Sequence, residues 1–387
     1  MAYLDRISGA PVLPEVVDLM RELLAKQSMN PLSPYRQSST LKQILEQSRQ
    51  KVAKLIAAEP AEIIFVSNGT ESVNLGIFGL VRSAARSSEK RRILISAIEH
   101  VSVMNTVRAL EKEGYEIVTI PVEVDGKVDK EAYLNALEKD ALLVSIQMAN
   151  PEIGTIQDIR FLAGKAREAK VLFHCDAVDA VGWMPIDVKQ LNIDALSFSG
   201  TQFGGPPGAA ALYLKRGVSL MPMFYGGFQE KHRRPGLENI PAIAGFGLAA
   251  EYAAQTLAER MNKARHYQEA LWKGLSHIEA VELTGHPTDR IPGHVSLLVR
   301  FVEGEALLLM LDMKNIQASS GSSCTAKDLK ISPVLTTLGI EHADAQGSLV
   351  FSTCHSTSEK DIDLVIQELP GIVERLRSMS PLWKQGS

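Results

Sequence analysis

Three stretches of this chain combine residue types that can do chemistry. The first is Phe65-Val66-Ser67-Asn68-Gly69-Thr70-Glu71-Ser72, an apolar run that breaks at Asn-Gly and turns helical at Thr-Glu-Ser. Free N–H groups and the positive dipole end of such a helix start, at Gly69 and Thr70, can hold a phosphate, with the Thr70 hydroxyl adding a donor. The same residues also read as a plain capped helix. In the second stretch, Val171-Leu172-Phe173-His174-Cys175-Asp176-Ala177, an acidic residue ends a buried strand. A carboxylate there can pair with a protonated ring nitrogen, or serve as a strand-end cap or an interdomain salt bridge. The third is Asp194-Ala195-Leu196-Ser197-Phe198-Ser199-Gly200-Thr201-Gln202-Phe203-Gly204-Gly205-Pro206, a strand running into a glycine-rich turn.

The elements that must position these residues follow from apolar patterning. Short runs rich in Val, Ile, Leu and Phe recur at 63–67, 93–97, 116–122, 142–148, 171–175, 195–199 and 210–215, which suits strands buried on both faces. Amphipathic stretches lie between them, so the pattern predicts an α/β fold with a mostly parallel central sheet. The link from Ser199 to Ala210 is too short for a helix and predicts antiparallel pairing there. Beyond residue 240 an Ala-rich helical stretch, strand-like residues 295–301 and a helix at 305–312 predict a smaller α+β domain. Its last helix, 361–379, is expected to break at Pro370-Gly371. The expected division is a large domain over 16–255, and a small one from 1–15 plus 256–387 that carries Cys324.

With 41 Lys+Arg against 45 Asp+Glu among 387 residues, the formal net charge is -4. The basic pairs and triplets are too sparse for a phosphate-tracking stripe, which argues against nucleic acid as partner. Three cysteines, Cys175, Cys324 and Cys354, make no disulfide framework and no C-x-x-C pair, so free thiols in a reducing, cytoplasmic setting are expected. No run is long and uninterrupted enough for a membrane span, and the N-terminus does not read as a signal peptide. No recognised metal-ligand spacing is present. His174 and Cys175, adjacent on a strand, point to opposite faces, and His174 is expected to be a satisfied core residue.

In order along the chain, these pieces resemble the cysteine desulfurase family (NifS/IscS-like) of the class V aminotransferases, within the fold-type-I pyridoxal phosphate enzymes. The resemblance rests on Tyr3-Leu4-Asp5, Asn68-Gly69-Thr70-Glu71-Ser72-Val73-Asn74, Glu99-His100, Glu152-Ile153-Gly154-Thr155-Ile156-Gln157 and Phe173-His174-Cys175-Asp176-Ala177-Val178. It continues through Ser197-Phe198-Ser199-Gly200, Gly236-Leu237-Glu238-Asn239 and Ser320-Gly321-Ser322-Ser323-Cys324. It implies a fold-type-I large domain, pyridoxal phosphate (PLP) as cofactor and a homodimer. It also implies that a loop cysteine, matched by Cys324, takes sulfur from L-cysteine as a persulfide while alanine leaves, a task for a thiolate. His100 matches the ring that stacks on the cofactor and relays protons. Asp176 matches the pyridinium partner, and Thr70 and Ser199 match phosphate ligands.

The match breaks where the covalent anchor belongs. The family pattern Ser-Gly-His-Lys is here Ser199-Gly200-Thr201-Gln202, and a carboxamide cannot condense with an aldehyde. Further departures are Asn150-Pro151 for a paired Asn, Asp179 for a Gln, Leu237 for a phosphate-reaching Thr, and His355 for the substrate-clamping Arg. The expectation is a family member degenerate for PLP chemistry. It would act through Cys324 in sulfur transfer or in iron–sulfur cluster or thio-cofactor assembly, beside a scaffold or acceptor protein, with Cys324 also suited to ligating a cluster. Two alternatives stand beside it: an active desulfurase holding PLP noncovalently at His100, Asp176, Thr70 and Ser199, and a non-catalytic structural dimer partner.

Overall fold

The computed structural model describes residues 1–25, 30–138, 140–321, 332–381 and 383. Its central sheet has seven strands separated by helices. In chain order these elements are α1 (Arg36–Leu55), β1 (Ile63–Val66), α2 (Gly69–Ala84), β2 (Arg92–Ser96), α3 (Val101–Lys112), β3 (Glu116–Ile120) and β4 (Ala141–Gln147). They continue with β5 (Leu172–Asp176), β6 (Ala195–Ser199), β7 (Ala210–Leu214) and the long helix α4 (Ile240–Leu275). The strand order is β1-β7-β6-β5-β4-β2-β3, and β7 alone runs antiparallel to its neighbours. That reversal follows from the short link at Ser199, which leaves no room for a right-handed helical crossover.

The sheet is covered on both faces, which is why its strands are almost continuously apolar. One face packs Phe173, Cys175, Leu196 and Phe198 against α1 and α4; the other packs Ile64, Ile93, Leu143 and Leu212 against α2 and α3. Gly247 lets α4 approach α1 closely, since a Cβ there would lie 2.8 Å from the Ser48 Cα.

A second core gathers around an antiparallel sheet of β8 (Val281–Leu283), β9 (His294–Val299) and β10 (Ser348–Ser352), ordered β10-β9-β8 and backed by α5 (Glu359–Met379). Ala2 and Leu4 belong to this core, so the chain starts there and then crosses toward the large sheet through the turn Arg6–Ser8. Helix α4 contributes residues to both cores.

Two sequence expectations need correction. Helix α5 does not break at Pro370-Gly371 but runs through Pro370. The missing N–H is tolerated because Leu369, Ile372 and Val373, on either side of it, are locked into the second core, and packing there outweighs one lost backbone hydrogen bond. The strand expected over 295–301 stops at Val299, where Arg300 and the left-handed Phe301 (φ 68°) turn the chain away.

Candidate active site

Carboxyl ends of parallel strands are where open α/β sheets place ligands, and five of the sequence-selected residues sit at or just past them. Gly69 and Thr70 follow β1, His100 follows β2, Asp176 ends β5 and Ser199 ends β6. Val66 and Ser199 both pair with Ala210 of the intervening β7, so the α2 start and the β6 end flank one edge of the site.

At the α2 start the Asn68 side chain accepts from the Glu71 N–H at 2.8 Å, and Glu71 accepts from the Ser67 N–H at 2.7 Å and from Arg234 Nε at 2.8 Å. Thr70 is exposed there. Gly69 has a steric reason to be glycine: a Cβ would come within 2.9 Å of Val178, in the loop that carries Asp176. The structure therefore joins the capped helix start to the acidic strand end.

His100 caps α3. The Ser102 N–H donates to its Nδ1 at 3.2 Å, which leaves Nε2 to carry the proton of the neutral ring. Burial lowers its pKa, and the Asp179 carboxylate partly opposes that shift.

Asp176 is 6% exposed and accepts only from the Val178 N–H, at 3.1 Å; among the described residues no cation lies within ion-pair distance. Burial raises its pKa to about 6. Asp179 is also raised to about 6, by burial first, with Arg6 pulling it down and Asp176 pushing it up. Glu99, fully buried and held by Ser96 and the Gln147 N–H, is pushed up to about 8 by the same desolvation. Three buried acids thus share a region, and the buried Arg6 acts on Asp179 among them.

Gln202 lies on a short 3-10 turn after β6 and is 5% exposed. Its Nε2 donates to Asp179 Oδ1 at 3.0 Å and to the Ile7 carbonyl at 3.2 Å, while its Oε1 is buried without a partner. Trp183 Nε1 donates to its backbone carbonyl at 2.7 Å. Ser199 Oγ meets Thr201 Oγ1 at 3.0 Å, so the two hydroxyls of this turn engage each other.

A protonated pyridine nitrogen fits the unpaired Asp176 carboxylate. The covalent attachment of PLP does not fit: position 202 offers an amide already tied to Asp179, and among the described residues no lysine is buried.

Other sequence-selected residues are dispersed. Asn150 closes a turn with the Glu152 and Ile153 N–H groups, Leu237 is exposed, and His355 is half-buried with Nδ1 unpartnered. Cys324 lies outside the described residues. His174 is the satisfied core histidine that its strand suggested: Ser145 Oγ lies 2.8 Å from Nδ1 and Ser197 Oγ 2.9 Å from Nε2, and burial takes its pKa down to about 3. Cys175, on the opposite face, is fully buried, and its thiol is pushed far up.

Sequence reasoning missed Arg6. It is fully buried, donates to the Asp179 carbonyl at 3.3 Å, and stacks with its guanidinium 4.5 Å from the Trp183 ring centroid. A lone arginine after Tyr3-Leu4-Asp5 carries no local signal that the N-terminal turn is threaded under the site.

Residues 2–365 match the family model described as aminotransferase class-V. The chain is 42% identical over 380 residues to cysteine desulfurase IscS of Methanosarcina thermophila, covering 98% of this chain and 94% of that protein. It is 37% identical over 383 residues to cysteine desulfurase NifS of Azotobacter vinelandii, with coverage of 98% and 94%. Among solved structures, a NifS-like protein from Rickettsia africae superposes with a TM-score of 0.88 at 31% identity, over 97% of this chain and 99% of that one. Another NifS-like protein gives 0.90 at 28% identity, over 97% and 100%. Among the described residues no helix is long and apolar enough to cross a membrane.

Proposed function

Given that the chain belongs to the aminotransferase class-V family and, within it, to the cysteine desulfurases, we propose that it handles sulfur through Cys324 without a covalently anchored cofactor. The observation that carries this reading is the engagement of Gln202. Its amide bonds the Asp179 carboxylate and the Ile7 carbonyl, and so fills with hydrogen bonds the place where the family's lysine would react. Asp179 supports it, because it sets a charge beside position 202 where the family pattern carries a neutral Gln.

In this reading the Cys324 thiolate accepts or presents sulfur to an iron–sulfur scaffold or another acceptor protein, and the remainder of the site is a fold retained after its cofactor reaction lapsed. The working unit is a homodimer. Supporting that, Phe224, Tyr225, Phe228 and Leu237 are more than half exposed within one short segment.

The test uses the purified full chain, supplied with PLP and L-cysteine. The expected result is no Schiff-base absorbance from the protein and no alanine release above the free-cofactor background, while Cys324 still exchanges sulfur with a persulfide donor. Alanine release at a rate typical of a desulfurase overturns the reading. A Cys324→Ser variant that delivers sulfur to the acceptor as well as the parent removes the carrier role.

A second reading, a desulfurase with PLP held noncovalently, draws on one observation: the unpaired Asp176 carboxylate suits a ring nitrogen. Retention of PLP through gel filtration, lost in Asp176→Asn, would favour it.

A further inference from the structure

Beside the turn that carries Gln202, a cavity of about 150 Å³ opens between α4 and the turn that follows β10, with Trp183, the donor to the Gln202 carbonyl, on its wall. Its walls include Trp183, Arg260, Thr353, Cys354 and His355. Arg260 is 7% exposed and donates to the Gly182 carbonyl at 3.1 Å and to Thr256 Oγ1 at 3.3 Å. Among the described residues it has no carboxylate within ion-pair distance, and burial lowers its pKa to about 10. Thr353, 1% exposed, has its hydroxyl unpartnered, and His355 Nδ1 is buried in the same condition. Arg6 does not line the cavity but adds to its field. It shares the Trp183 ring with Arg260, whose guanidinium lies 5.3 Å from the centroid, and its Nε and Nη2 are buried without partners.

A buried cation without a counter-charge and a buried hydroxyl without a partner are both costly, and a small anion supplies what each lacks. The other charged groups on the walls, Glu259 and Lys263, are exposed and sit at the rim with opposite signs. The volume is well under the roughly 300 Å³ at which pockets begin to hold drug-sized ligands, which favours a small ligand. Donors arising from α4, from the segment after β10 and from the His355 ring suit acceptors spread in three dimensions better than a planar carboxylate. We propose that this cavity binds a small tetrahedral oxyanion of the sulfate type, held by Arg260 and Thr353 with the Cys354 thiol on its wall. This is independent of the reading of position 202.

The test is a calorimetric titration of the full chain with sulfate at constant ionic strength, paired with the rate at which iodoacetamide alkylates Cys354, read by peptide mass spectrometry. Saturable binding that slows alkylation over the same concentration range is expected. Arg260→Gln should weaken it on the order of tenfold, the loss of one charge-assisted hydrogen bond. Thr353→Val, which keeps shape and drops the hydroxyl, should weaken it severalfold and serves if the arginine variant does not fold. Lys112→Gln, on α3, should change nothing. No saturable binding overturns the proposal. So does sulfate binding that neither Arg260→Gln nor Thr353→Val alters, since that anion would be seated elsewhere, as at the α2 start beside Thr70.

Discussion

Gln202→Lys restores the residue type that a desulfurase needs, yet the structure predicts that this change alone recovers little. The Gln202 amide nitrogen lies 3.0 Å from Asp179 Oδ1, so an amine at that position would face a buried carboxylate. At about 4 Å and an effective dielectric of about 20, unit charges attract by about 4 kcal/mol. Desolvation of the amine takes back much of that, leaving on the order of 1 kcal/mol, or about one pKa unit, in favour of the protonated form. A protonated amine does not attack an aldehyde. Adding Asp179→Gln removes the counter-charge and supplies the residue that the family pattern carries there. Each variant is incubated with PLP and reduced with borohydride, and the pyridoxyl adduct at position 202 is followed by mass spectrometry. The double variant should accumulate adduct about tenfold faster than the single one near neutral pH, the fold-change that one pKa unit carries. Equal rates would show that Asp179 does not control this position. Efficient reduction of the cofactor onto another lysine in the unaltered chain would refute the claim that it lacks a covalent anchor.

Three further outcomes are expected. The raised Asp179 pKa means that the folded state holds its proton more tightly than the unfolded chain, so stability falls as pH rises from about 4 to about 6; a shift of about two units corresponds to roughly 3 kcal/mol at most. Asp179→Asn should flatten that slope in urea denaturation at pH 4.5 and 7.5, with the gain confined to the higher pH, while the similar contribution of Asp176 persists. His174→Leu should cost about 3 kcal/mol, because two buried serine hydroxyls lose their shared partner, and the wild-type ring should show no NMR titration between pH 5 and 8. Pro370→Ala should raise stability by about 1 kcal/mol, as helix propensity gained is partly offset by a freer unfolded chain, and an unchanged melting curve would count against a continuous α5.

Much of the scaffold was legible because the central strands are buried on both faces and so are written as unbroken apolar runs. Ser199 to Ala210 is too short for a helix, and β7 is antiparallel as that length demands. His174 announced its core role by standing in an apolar strand, and the absence of lysine at position 202 needs no coordinates to be seen. Where packing overrules local preference the sequence misled, as at Pro370, whose helix survives because its neighbours are locked into the second core.

What the linear chain determined by itself is the set of groups on hand: an amide where an amine would react, a second acid near Asp176, and a cysteine at 324. Tertiary structure decided how those groups are spent. It alone tied Gln202 to Asp179, brought Arg6 beneath a site whose other residues lie far along the chain, and set Arg260 and Thr353 on the walls of one cavity. Burial and charge pairing between distant segments exist only once the sheet and α4 bring those segments together, and no local pattern encodes them.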